Sequence, residues 1–158
     1  MFLDDSRHGW LYLPAAVERE DEVNFAAGAI RLERGDYLGA ATLLDEVLNS
    51  KARTSTLVDA LLLKAVALEM SGKDGQLTLE SARKMNPSLR TVFQVKVMID
   101  LQHILRTKEN SEKKSLAIDA KNTLSSASIL FDPNDPWFES ASAAVDNCLT
   151  SLGDTVTP

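Results

Sequence analysis

The chain has 158 residues, a formal net charge of −6 and a single cysteine, Cys148. The length fits one domain with a real core, and the acidic balance argues against a nucleic-acid binder, which clusters Lys and Arg against phosphates. One cysteine excludes an intramolecular disulfide and suits a reducing, intracellular setting, here expected to be cytoplasmic.

The start, Met1 to His8, lacks a basic region followed by a long apolar core, so no secretory signal is expected. No stretch is long and apolar enough for a membrane span. Residues 1–13 are expected to be irregular. Phe2, Leu3, Trp10, Leu11, Tyr12 and Leu13 flank a polar run there.

Pro14 suits the first turn of a helix running to residue 34. Acidic residues fill its first half, where the helix dipole favours them. Val23, Ala26, Ala27 and Ile30 repeat at three- and four-residue steps and form an apolar face. Gly35-Asp36 ends this helix and Tyr37 opens another to about Asn49, with Ala40, Leu43, Leu44, Val47 and Leu48 facing inward. So short a link makes the two an antiparallel hairpin.

A third helix spans about 56–71, capped by Thr54 or Ser55, with Leu57, Ala60, Leu61, Ala65 and Leu68 on one face. Gly72 stops it. A shorter helix over about 74–85 carries Leu77, Leu79 and Ala82, and Asn86-Pro87 closes the unit. The segment from 88 to 107 is apolar on several sides, which predicts burial beyond one face. Residues 107–114 are a polar connector. Helices follow over about 112–131 and 136–151, separated by the turn signal Asp132-Pro133-Asn134-Asp135-Pro136. The last holds Trp137, Phe138, Ala141, Val145 and Leu149, and 153–158 form a flexible tail.

Gly and Asn-Pro punctuation at a period in the thirties signals a helical repeat array. Residues 21–54 have Gly28 in the first helix, Gly35-Asp36-Tyr37 at the turn, and Ala40, Leu44 and Val47 in the second. This resembles the tetratricopeptide repeat, in which small residues at those places let helices approach closely. In the unit at about 58–88, Ala65 stands where Gly28 stood and Gly72 where Gly35 stood. Ala82-Arg83-Lys84-Met85-Asn86-Pro87 is similar to the family's closing motif, although this unit is about two residues short after Gly72. The unit at about 90–134 is more divergent and ends on Phe131-Asp132-Pro133-Asn134. Asn24 replaces the tryptophan of the family's first helix.

The resemblance implies an all-α, right-handed superhelix of about three antiparallel hairpins in one domain, 14–152, with a C-terminal capping helix. It also implies a concave groove lined by the first helix of each pair. By position the groove presents Glu22, Phe25, Ala29 and Leu32, then Asp59, Leu62, Val66 and Met70, then Gln94, Met98 and Leu101. Family members that hold a chaperone's C-terminal carboxylate use Lys and Asn where this chain has Phe25 and Ala29. An apolar helix or extended peptide fits better than a carboxylate. Trp10 and Tyr12 belong to a segment too apolar to be incidental: a lid, a dimer seam or a partner contact.

Candidates for chemistry are few. His8 and His103 are the only histidines, and no spacing suggests a metal site, a phosphate loop or a nucleophile elbow. The Glu18–Glu22 and Lys108–Lys114 charge runs read as solvated faces, and Cys148 as a packing residue. The expected function is a non-catalytic adaptor or chaperone-like module without cofactors. It would bind a protein or peptide, and neither nucleic acid nor membrane. The alternatives are a structural subunit, in a homo-oligomer or a larger complex, and a small helical enzyme.

Overall fold

In a computed structural model, described for residues 20–153, the chain is all-helical. The described residues form α1 (Glu20–Glu33), α2 (Tyr37–Leu48), α3 (Thr54–Met70), α4 (Gln76–Met85), α5 (Arg90–Arg106), α6 (Asn110–Ala127) and α7 (Pro136–Ser151). A short 3-10 turn, Ser128–Leu130, follows α6. The expectations for residues 1–13, for the start of the first helix at Pro14 and for the tail beyond Gly153 lie outside the described residues.

Contacts divide the chain into two compact units, Met1–Met85 and Asn86–Pro158. The division falls at the Asn86-Pro87 punctuation, where the expected single domain had only an internal repeat boundary.

In the first unit, the turn between α1 and α2 is built by two adjacent residues. Gly35 takes φ +82°, the left-handed conformation that ends a helix at least cost to glycine. Its amide donates to the Leu32 carbonyl and that of Asp36 to the Arg31 carbonyl, which satisfies the last free acceptors of α1. The Asp36 carboxylate then caps α2, accepting from the Gly39 amide at 3.0 Å, and pairs with Arg31 of α1 at 2.9 Å. Gly72 (φ +85°) repeats the same device after α3, with its amide on Glu69 and that of Lys73 on Leu68.

The helices close through small residues. A Cβ on Gly28 would come to 3.1 Å from the Leu44 side chain, so α1 and α2 approach at a point that only glycine fits without adjustment. Leu44, Val47 and Ala60 form one core cluster across α2 and α3, and Ala40, Ala41 and Ala67 another. Lys64 of α3 reaches Asp45 of α2 at 2.6 Å. The expected side-chain cap of α3 is absent: its N-cap is Arg53, with no side-chain hydrogen bond, and Thr54 is already helical.

In the second unit, Val97 and Ile104 of α5, Ala117, Ala120 and Leu124 of α6, and Ala141, Val145 and Leu149 of α7 share one core. Trp137, Phe138 and the half-buried Cys148 pack against it, as the sequence suggested. Asp135 caps α7 by accepting from the Phe138 amide at 2.9 Å, with Pro136 in the first turn. The polar connector shrinks to Thr107–Glu109, because Asn110 to Lys114 form the first turns of α6.

The expected apolar faces need correction at two places. Val23 and Leu77 were expected on inward faces, yet both are exposed, Leu77 to 82%, and Leu105 and Ile118 are exposed as well. Periodicity marks a stripe but does not say how wide a neighbour's footprint on it is. α3 shows the converse: Val58, Ala60, Leu62, Ala65, Ala67 and even Glu69 are buried on several sides of one helix.

Candidate interaction surface

α1 lies against α3 as well as α2, so its Phe25, Ala29 and Leu32 stripe falls along the α3 side. Phe25 is half-buried on the Leu44–Val47–Ala60 cluster together with Leu63, and Leu32 is half-buried on Ala40, Ala41 and Ala67. Ala29 lies between them, also half-buried. On α3, Val66 is half-buried and Met70 is 39% exposed at the last turn. Asp59 stands at the other end of that helix, and burial raises its carboxyl pKa above the ordinary 3.8.

Leu62 does not belong to this surface. It is 2% exposed and is a core residue. Leu62 and Val66 lie one helical turn apart, and sequence spacing assigned both to the groove. Only Val66 keeps open surface.

In the second unit, α5 shows Met98 (36% exposed), half-buried Leu101 and well-exposed Leu105 at helical spacing. The sequence registered Met98 and Leu101 on this helix and did not register Leu105. Trp10 and Tyr12 lie outside the described residues.

Two clefts accompany these faces. One of about 580 Å³ in the first unit is polar, lined by Glu20, Asp21, Asn24, Glu46, Asn49 and Lys51 among others. One of about 330 Å³ in the second unit has Leu124, Val145 and Phe138 as its floor. Its rim carries Ser125, Ser128 and Ser142 and the Lys121–Asp146 pair at 2.8 Å. Both open to solvent.

Sequence reasoning passed over a charge network built around one buried carboxylate. Lys96 of α5 donates to Asp100 of α5 and to Asp119 of α6, each at 2.6 Å, and Asp100 is fully buried. Burial works against the Lys96 charge, but the two carboxylates outweigh it and hold its pKa above 10.5. The only signal was a Lys and an Asp four residues apart in an apolar helix, a spacing common on solvated faces.

Side-by-side helix pairs, with small residues at close approaches and apolar stripes left partly open, define an all-α protein. No protein-family model, no curated protein and no solved structure matches the chain. Among the described residues no helix is long and apolar enough to cross a membrane.

Proposed function

We propose that the chain is a tetratricopeptide-like superhelix acting as a non-catalytic adaptor. It binds an apolar helix or extended segment of a protein partner on the surface shared by α1 and α3. The observation that carries this reading is the partly open apolar row of Phe25, Ala29 and Leu32 on α1 beside Val66 and Met70 on α3. Methionine and aromatic side chains are favoured where a surface must fit an incoming chain. Two further features support the repeat: the equivalent Gly35 and Gly72 turns, and the small residues Gly28 and Ala65, each at a close helix approach. Packing of α7 over α5 and α6 suits a capping helix. The clefts are open, which suits solvent more than a reaction that must exclude it.

The test is affinity capture with the intact chain against a Val66→Asp, Met70→Asp double variant of unchanged helicity. Partners recovered equally by both would overturn the proposal. A carboxylate in an apolar contact lowers affinity by about a hundredfold.

A second reading is a subunit permanently buried in an oligomer or larger complex. The exposed Leu77, Leu105 and Ile129 favour it. Size-exclusion with light scattering separates the two: a stable monomer disfavours an obligate homo-oligomer.

A further inference from the structure

Asp59 lies on the same stripe of α3 as the apolar residues of the α1–α3 surface. Asp59, Leu63, Val66 and Met70 follow at steps of four, three and four residues, which keeps them on one side of the helix. α1 runs beside α3 in the same direction. Glu22 in its first turn meets Arg53, the N-cap of α3, at 3.8 Å. Phe25 joins Leu63 on one core cluster, and Leu32 packs by Ala67 on the other. The partly open row of Phe25, Ala29, Val66 and Met70 therefore starts at a carboxylate. Burial raises the Asp59 carboxyl above its ordinary pKa, so its charge is partly withdrawn from water. Among the described residues no cation is paired with it: Arg53 is on Glu22, and Lys64 reaches Asp45 at 2.6 Å. Asp59 is nonetheless exposed, so a cation from outside can reach it.

We propose that this surface takes an apolar protein segment with a lysine or arginine near one end, the cation over Asp59 and the apolar side chains over Phe25, Ala29, Val66 and Met70, which deepens the reading of that face as a partner surface and rests on it. Charge complementarity selects the occupant. A neutral apolar segment laid along the row would cover Asp59 and strip more water from an unmatched carboxylate, which costs affinity. An acidic end would meet repulsion from Asp59, with Glu22 at the same end of the row. A cation reverses both effects, and partial desolvation makes the pair stronger than one in open solvent. The spacing follows from the helix. Val66 and Met70 lie seven and eleven residues beyond Asp59, which is about 10 and 16 Å along the axis. A helical partner matches with its cation about two to three turns from its apolar anchors, and an extended one with about three to five residues between them.

The test is selection from a displayed library of randomised peptides on the full chain. Apolar peptides with a Lys or Arg at that spacing are expected to be enriched. One of them, made synthetically, is expected to bind Asp59→Asn about fivefold more weakly than the parent chain. That difference should shrink at high salt, and Asp21→Asn should bind the peptide as the parent does. Selection on Asp59→Lys is expected to favour Asp or Glu in place of the cation. Asparagine has the shape of aspartate, so the Asp59→Asn comparison does not depend on a change in packing. Enriched peptides that are apolar but show no preference for a cation would overturn the inference and leave the partner surface standing. So would equal weakening by Asp59→Asn and Asp21→Asn, which reports only the net negative charge of the chain. Enrichment that survives Val66→Asp with Met70→Asp, or that fails on the parent chain altogether, removes the surface and the inference together.

Discussion

Glu69, buried in the last turn of α3, accepts a 2.6 Å hydrogen bond from the amide of Gly75, the residue that opens α4. One carboxylate thus ends one helix and starts the next, and it does so away from water. Charged acceptors on backbone amides are among the stronger hydrogen bonds. Glu69→Ala is expected to destabilise the protein by about 1–3 kcal/mol, and Glu69→Gln by less, since an amide oxygen still accepts. Urea unfolding followed by circular dichroism measures both.

The same turn makes Gly75 irreplaceable. A Cβ there would fall 2.4 Å from the Ala65 carbonyl oxygen, a backbone atom that cannot swing aside. On Gly28 the nearest obstacle is the tip of Leu44, which can. Gly75→Ala is therefore expected to cost at least about 3 kcal/mol and Gly28→Ala about 1 kcal/mol, an order that thermal unfolding of the two variants checks.

Lys96 brings its positive charge to the fully buried Asp100. Lys96→Met removes that charge and is expected to cost about 3–5 kcal/mol, while Lys96→Met with Asp100→Asn recovers much of the loss. The pH dependence follows from the raised lysine pKa. A cation held more tightly in the folded state contributes its stability below 10.5, and that contribution fades as pH rises through the higher folded value. Urea midpoints on either side of pH 10.5 should fall more steeply for the parent than for the double variant.

Leu62 and Met70 separate core from surface on one helix. Leu62→Ala is expected to cost about 2–5 kcal/mol and Met70→Ala within about 0.5 kcal/mol. Equal effects on the denaturation midpoint would mean that Met70 is not available to a partner.

Phe131 stacks on Trp137 at 5.4 Å, meets Phe138 at 5.2 Å and lies under Arg90 at 5.8 Å. Phe131→Ala is expected to cost about 3–5 kcal/mol and to shift Trp137 fluorescence, whereas Arg90→Ala removes a contact of about 1 kcal/mol.

Among the described residues, helix number, order and most approximate ends were written in the sequence. Those signals are local: Gly35 and Gly72 stop helices by conformational freedom, Pro136 and Asp135 start one, and three- to four-residue spacing survives any partner. Which side of each helix is covered was not local. Leu77 read as core and stands in solvent; Leu62 read as surface and is buried. Periodicity reports a direction around one axis, while burial depends on where a second helix lies along and across it. The Glu69–Gly75 cap and the Lys96–Asp100–Asp119 network belong to that second kind of fact. Their groups are ordinary in sequence, and only packing takes Glu69 and Asp100 out of water and makes their pairing matter.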